Sequence, residues 1–253
     1  MGAPDVKADA RRVFEVISAG GIAIIPSSMG YALASSTTEA LEKMFKTKRR
    51  GAHKRHAMGG NYALHQELHV MQPEHEEIVR CLTQDFDLPL AVIAKYDQDH
   101  PMFKHIDQPT MDALTVDGTL AMLINGGALQ DELANLMREA KLPLLGSSAN
   151  ISGTGTKYVV QDINQEILDI ADIVIDYGLV KFGYHGRSST MINFSGPTPE
   201  IVRIGVCYDV IKDHLKRFWD IEIPPDPGMS ALPSGHLKTL PPLESLEKLV
   251  AVP

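Results

Sequence analysis

A chain of 253 residues that is 44% hydrophobic can bury one sizeable core, and α/β folds often reach this length as a single domain. Its 32 acidic and 24 basic side chains leave a net charge of −8, which excludes general electrostatic attraction to nucleic acid and confines any RNA contact to a local patch. No apolar run approaches the ~20 residues that span a bilayer, and Met1-Gly2-Ala3-Pro4-Asp5 lacks the charged start and apolar centre of a signal peptide, so no membrane association and a cytoplasmic location are expected.

Ala10, Val13, Phe14 and Ile17 recur at helical spacing and mark a first amphipathic helix, which Gly20-Gly21 ends before a strand over Ile22 to Ile25. A second helix opens at Thr38-Glu39-Ala40-Leu41 and carries Leu41, Met44 and Phe45 on one face. It delivers the stretch Lys46 to His56, with six basic residues in an otherwise acidic chain. Charge gathered at a helix exit is stabilised by phosphate or carboxylate, although a solvated loop and a nucleic-acid patch fit the same run. Residues 74 to 82 read as helix, Leu90 to Ala94 and Leu120 to Ile124 as strands, and Leu129 to Ala140 as a helix leading to a strand at Pro143. That strand exits into Leu145-Gly146-Ser147-Ser148-Ala149-Asn150-Ile151-Ser152-Gly153. A buried strand should be apolar throughout, so hydroxyl and amide groups packed at its end suggest a polar ligand; turn formation and helix capping are the competing reading. A helix near Gln161 to Ala171 follows, then strands at Ile173 to Asp176, Thr190 to Phe194 and Glu200 to Ile204. The mixture predicts an α/β fold with a twisted mixed sheet flanked by helices.

Four landmarks, in order, resemble the YrdC/Sua5 family of threonylcarbamoyl-AMP synthases. Gly20-Gly21 through Pro26 to Tyr31-Ala32-Leu33 matches the frame of the family's opening strand and turn, and Lys48, Arg50 and Lys54 match its Lys-x-Arg-x-x-x-Lys motif. Ser147 to Gly153 matches its serine loop, while Ser189-Thr190-Met191-Ile192-Asn193 and Val202-Arg203-Ile204-Gly205 match its closing strands. The resemblance implies a YrdC-like single domain over residues 1–220 that uses ATP and Mg²⁺. In the family reaction the amine of threonine and bicarbonate give a carbamate, whose oxygen attacks the α-phosphorus of ATP and expels pyrophosphate; the product serves tRNA modification. It further implies that Lys48 and Arg50 are catalytic and face phosphates with Lys54, that Ser148 and Asn150 hold the phosphate and ribose side, and that Ser189 and Arg203 close the site. Tyr31, Ser27 and Ser28 would face the amino acid.

The departures fall on the acceptor side. Ser27-Ser28-Met29 replaces the family's Thr-Asp-Thr, so a carboxylate that could meet an amino group is gone, and Leu120 to Ile124 carries no counterpart of the family arginine. These changes imply an adenylating site with a different small amine or amino acid as acceptor. A carbamoyl or acyl transferase for a small metabolite, and a nucleotide- or RNA-binding protein without turnover, remain alternatives. The sequence indicates neither a resident metal nor an oligomeric state. His65 and His69 stand at i and i+4 and could meet zinc on a helix, but without a third conventional ligand they are expected to be solvated surface histidines. Cys81 and Cys207 lie far apart without metal spacing and are expected to be reduced. Residues 221–253 hold seven of the sixteen prolines, too many for regular structure, and read as an extended arm. Pro227-Gly228-Met229 and His236 resemble the linker of longer Sua5 proteins, which implies a lid; a disordered tail is the alternative.

Overall fold

The structure is a computed structural model that describes residues 2–49, 56–104, 106–183 and 186–237. In chain order it comprises α1 (Val6–Ser18), β1 (Ala23–Ser27), β2 (Gly30–Ser35), α2 (Thr38–Thr47), β3 (Met58–Gly59), α3 (Tyr62–Leu68), β4 (His69–Val70), α4 (Pro73–Arg80), β5 (Leu90–Tyr96), α5 (Gln108–Leu114), β6 (Thr115–Val116), β7 (Thr119–Ile124), α6 (Ala128–Glu139), β8 (Leu144–Ser148), α7 (Gln165–Leu168), β9 (Ile173–Val174), β10 (Thr190–Asn193), β11 (Glu200–Arg203) and α8 (Tyr208–Trp219). Local chemistry sets several helix starts. Asp5, Thr37, Asn61 and Asp107 each accept a backbone N–H of the first turn of α1, α2, α3 and α5, and Pro73 occupies the first turn of α4, where no N–H is needed.

The strands form one mixed sheet in the order β11-β10-β5-β7-β3-β8-β2-β1-β9, with β4 and β6 paired to β5 and β7. The pairs β1/β9, β3/β7 and β5/β10 are parallel, which confirms the expected mixed α/β architecture. One face of the hairpin end is covered by α1 and α6, whose Val13, Ile17, Leu133 and Met137 pack on Ala23, Ile25, Ala34 and Leu144. The opposite face buries the larger core, including Met44 of α2, Ile78 of α4 and Ile211 of α8 against Leu33, Met58, Met122 and Val92. Each such aliphatic side chain contributes about 1.5–3 kcal/mol when removed from water.

Register decides what the central strands leave open. Along β7, Leu120, Met122 and Ile124 are buried, whereas Thr119, Ala121 and Leu123 are only half-buried. Ala121 pairs with Ile93 and Leu123 with Ala91 on β5; Ala91 pairs with Met191 on β10, and Met191 with Arg203 on β11. Directly paired residues share a face. The sheet therefore presents Ala121, Leu123, Ile93, Met191 and Arg203 together, on the side that α1 and α6 cover only at the hairpin end.

The expected helix over 161–171 is shorter than its pattern: a 3₁₀ turn at Val160–Asp162 precedes α7, because Asn164 adopts the extended ψ of 139° at the helix start. The expected helix over 74–82 runs from Pro73 to Arg80 and continues as a π-helical turn, Cys81–Asp85. β2, α5 and α8 lie outside the elements expected from the sequence. No helix among the described residues is long and apolar enough to cross a membrane. Both cysteines are free thiols.

Candidate functional site

The serine loop leaves β8 and folds back under α2. Ala149 N–H donates to the Tyr31 carbonyl at 2.8 Å, and Ser152 N–H donates to the Lys48 carbonyl at 2.9 Å. Ala149 is buried completely and Ile151 nearly so, which fastens the loop to the core by its apolar members. Asn150 is only 5% exposed, its Nδ2 donates to the Ile151 carbonyl at 2.6 Å, and its Oδ1 has no hydrogen-bond partner among the described residues. The Oγ of Ser152 is likewise buried without a partner. Buried polar atoms are ordinarily satisfied, so two orphans in one loop mark a place where ligand or solvent groups complete the bonding.

Lys48 forms the C-cap of α2 and is 1% exposed. Its ammonium donates to the Ser148 carbonyl and, at 2.6 Å, to the Asn150 carbonyl. The sequence resemblance directs Lys48 toward phosphates; the fold directs its charge into the underside of the serine loop, because α2 ends beneath that loop. Arg50 and Lys54 lie outside the described residues, and the basic stretch enters the described structure only through its ends.

Ser189 and Arg203, each expected to close the site, are hydrogen-bonded to one another. The Arg203 Nε donates to the Ser189 carbonyl at 2.9 Å and an Arg203 terminal nitrogen donates to Ser189 Oγ at 2.7 Å, across the β10/β11 pair. Burial pulls the Arg203 guanidinium down to about 10, still well above neutrality, so the side chain stays cationic at pH 7. The segment before Ser189 connects this pair to the serine loop's continuation, since Thr156 N–H donates to the Gly186 carbonyl at 3.2 Å.

The hairpin tip is closed on itself. Ser27 Oγ donates to the Gly30 carbonyl at 2.6 Å, Ser28 N–H donates to the Gly126 carbonyl at 2.6 Å, and the Ser28 carbonyl accepts from Phe182 N–H at 2.8 Å. Thr156 fills the space that a Cβ on Gly30 would need. The Tyr31 hydroxyl lies 2.8 Å from the Gly178 carbonyl and 3.0 Å from the Asp176 carboxylate, and it accepts Tyr177 N–H at 3.1 Å. Burial, helped by that carboxylate, pushes the phenol up to about 12. Ser27, Ser28 and Tyr31, expected to face an amino acid, are thus engaged in holding the tip, and Met29 is buried.

One titratable group near this tip has no counterpart in the sequence expectations. Asp131, in the first turn of α6 after Asn125-Gly126-Gly127, buries Oδ1 without a partner among the described residues, and burial together with Asp87 raises its pKa to about 6. A lone aspartate on an amphipathic helix carries no sequence signal; only the close approach of Gly126 and Gly127 to Ser28 makes it visible.

The histidine expectation is corrected. His65 is fully buried and His69 is 9% exposed; their Nδ1 atoms lie 2.8 Å apart, and His65 Nε2 lies 2.9 Å from Glu76. α3 turns His65 toward α4, where Glu76 supplies the partner that makes burial tolerable. No group of three or more metal-ligating side chains occurs among the described residues.

The described part of the arm is docked. Arg187, 4% exposed, donates to Asp226 Oδ2 and to the Leu232 carbonyl, both at 2.6 Å, and the Tyr208 hydroxyl donates to the Pro224 carbonyl at 2.7 Å. Ile204 N–H donates to the Gly235 carbonyl at 2.8 Å and Leu237 N–H to the Val202 carbonyl at 3.0 Å, so residues 235–237 line the edge of β11. His236 pairs with Arg203 in an antiparallel bridge. That pairing places it on the Arg203 face of the sheet.

Comparison with known proteins adds the following. A family model for Sua5, YciO and YrdC, described as "Telomere recombination", matches residues 15–205. Among solved structures, a hypothetical protein from Streptococcus mutans aligns with a TM-score of 0.68 at 21% identity, covering 84% of this chain and 92% of that one. P. abyssi Sua5 complexed with L-threonine aligns with a TM-score of 0.65 at 18% identity, over 87% of this chain and 60% of that one. Full-length HypF in its phosphate- and nucleotide-bound form aligns with a TM-score of 0.56 at 20% identity, over 80% of this chain and 29% of that one. No curated protein sequence matches the chain.

Proposed function

Because the chain belongs to the Sua5/YciO/YrdC family, a family of nucleotidyl-transfer type, we propose that it forms a carbamoyl adenylate from ATP, bicarbonate and a small amine. The observation that carries this reading is the serine loop, mounted on a buried cation and holding an unpartnered Asn150 Oδ1. In the proposed reaction bicarbonate supplies carbon dioxide with loss of hydroxide, the amine adds to the carbon dioxide and loses a proton, and the resulting carbamate oxygen bonds to the α-phosphorus as the bond from that phosphorus to the α–β bridging oxygen breaks and pyrophosphate leaves. Such transfer proceeds by positioning and charge neutralisation, without a protein nucleophile. Ser148 and Asn150 would hold the nucleotide, Lys48 would supply charge from behind the loop, and the cationic Arg203, oriented by Ser189, would meet a phosphate or carboxylate. Arg50 and Lys54 would complete the proposed phosphate set, and Mg²⁺, if bound with the nucleotide, would supply further neutralisation of phosphate charge. A HypF neighbour in a nucleotide-bound form and a Sua5 neighbour complexed with threonine, which share this fold, support the reading.

The acceptor is proposed to differ from threonine. A zwitterion brings a carboxylate and an ammonium that each need a partner when desolvated. Ser28 offers no charge, and the open sheet face offers Ala121, Leu123, Ile93 and Met191. Nucleotide binding without turnover is the second reading, favoured by the internal engagement of Ser27, Ser28 and Tyr31. Incubation with ATP, Mg²⁺, bicarbonate and a panel of amines, with pyrophosphate release as the readout, separates the two. Release with one non-threonine amine supports the changed acceptor, release with threonine assigns the family reaction, and none with any amine leaves binding alone.

A further inference from the structure

The last helix keeps apolar groups outside the core. Tyr208, Ile211 and Leu215 of α8 are buried, while Val210, His214 and Phe218 follow one another at i, i+4 and i+8 along another side, with Val210 45% and Phe218 50% exposed. The segment that meets this stripe is equally unusual. α4 continues into the π-helical turn Cys81–Asp85, where Phe86 N–H donates to the Cys81 carbonyl at 3.0 Å, and Asp87 then takes the left-handed backbone with φ 54°. Phe86 is thereby 40% exposed although Leu82 and Leu88 on either side of it are buried. Turns of π type are rare and concentrate at functional sites, and large exposed rings gathered in one patch mark a place of contact.

The two segments enclose a cavity of about 330 Å³, within the range of small-ligand sites, about 300–1,000 Å³. Phe86 and Phe218 lie 18° from parallel with centroids 5.9 Å apart, Trp219 stands at 82° to Phe218, and the His214 ring backs Phe86 at 4.0 Å. Glu77, Arg80 and Asp85 complete the lining. The Arg80 guanidinium is taken by Asp85 at 2.8 Å, whereas Glu77 has no ion-pair partner among the described residues. Burial, with Asp85 and Glu77 adding to it, pushes the Cys81 thiol up, so both carboxylates act on the same wall of the cavity. Aromatic faces are the negative pole of the ring quadrupole and attract cations, and an unneutralised carboxylate attracts a cation and repels phosphate or carboxylate. Both preferences select the same ligand class. We propose that this cavity, none of whose lining residues belongs to the proposed nucleotide site, binds a small organic ammonium ion against the rings of Phe86, Phe218 and Trp219, with Glu77 as its counter-charge.

Trp219 is the only tryptophan of the chain and reports on the site directly. The test titrates the full chain with tetramethylammonium chloride and, separately, with tert-butanol, a neutral molecule of similar shape, at ionic strength held constant with sodium chloride. Tetramethylammonium is expected to change the Trp219 emission saturably, with a dissociation constant of about 1 mM or below, and tert-butanol to bind about tenfold more weakly or less. Phe218→Leu removes a ring face and keeps apolar bulk, and Glu77→Gln removes the charge; both residues are exposed, so neither change threatens the fold. Each should weaken tetramethylammonium about three- to tenfold by calorimetry. Equal binding of the cation and the alcohol overturns the charge preference and leaves an apolar surface alone. Unchanged affinity in either variant overturns the part assigned to that residue, and no saturation by about 10 mM tetramethylammonium overturns the site.

Discussion

The buried pair His65–His69 predicts a specific loss of stability in mild acid. Burial, with His65 alongside, depresses His69 to about 3, against about 6.5 in an unfolded chain. With the folded pKa below the unfolded one, the unfolded state takes up a proton as pH falls through 6.5 while the folded state does not, so stability is lost on acidification through that window. The slope approaches 1.36 kcal/mol per pH unit, which amounts to about 2 kcal/mol between pH 8 and pH 5. The groups around the pair are Glu76 and Tyr62, and the carboxylate Glu76 is held below the ordinary range, so its own loss comes at lower pH. Asp131 works in the opposite sense, because a carboxyl raised to about 6 favours the folded state increasingly as pH falls from 6 toward 4. The comparison that isolates His69 is therefore with His69→Asn, which keeps a polar atom near the Nδ1 position facing His65 and removes the titration. Urea denaturation at pH 8 and pH 5 should show the unaltered chain losing about 2 kcal/mol more than the variant. At a typical urea dependence of about 2–3 kcal/mol per molar, that difference moves the midpoint by about 0.7–1 M. Equal pH dependence in the two proteins would refute the assignment of a depressed, buried His69.

Four further outcomes are expected. Arg203→Met should weaken ATP about tenfold or more by calorimetry while Ser189→Ala weakens it less, since the serine only orients the guanidinium. Ser28→Asp should raise threonine-dependent pyrophosphate release if the acceptor side alone has drifted, and robust threonine turnover by the unaltered chain would sink the changed-acceptor reading. Asp226→Asn leaves the buried Arg187 guanidinium without its carboxylate, so hydrogen exchange over residues 223–237 should quicken; unchanged protection there would show that the β11 pairing alone docks the arm. Asp131→Asn should stabilise the protein at pH 8, by about 1–2 kcal/mol after allowance for partial exposure, and have little effect at pH 4, where the aspartate is already protonated.

What the sequence by itself determined is the framework: local periodicity places α1, α2 and α6, the apolar runs place β5 and β7, and four spaced motifs specify the family. These signals are local, carried by neighbours a few positions apart, and they survive without knowledge of the fold. Ser189 and Arg203 each stand in a recognisable motif, but their hydrogen bonds to one another depend on the β10/β11 pairing and were not legible. Nor were the directions of the site's side chains. Lys48 reads as a phosphate ligand in a basic run, and only the position of the α2 C-terminus beneath β8 turns its charge onto the Ser148 and Asn150 carbonyls. Tyr31 reads as a pocket residue until Asp176 and Gly178, about 145 residues further along the chain, take its hydroxyl. His65 and His69 read as surface groups because nothing local says that Glu76 will meet them. Sequence spacing reports which residue types are available; burial and the partner of each polar atom depend on contacts between distant segments, and tertiary structure alone decides those.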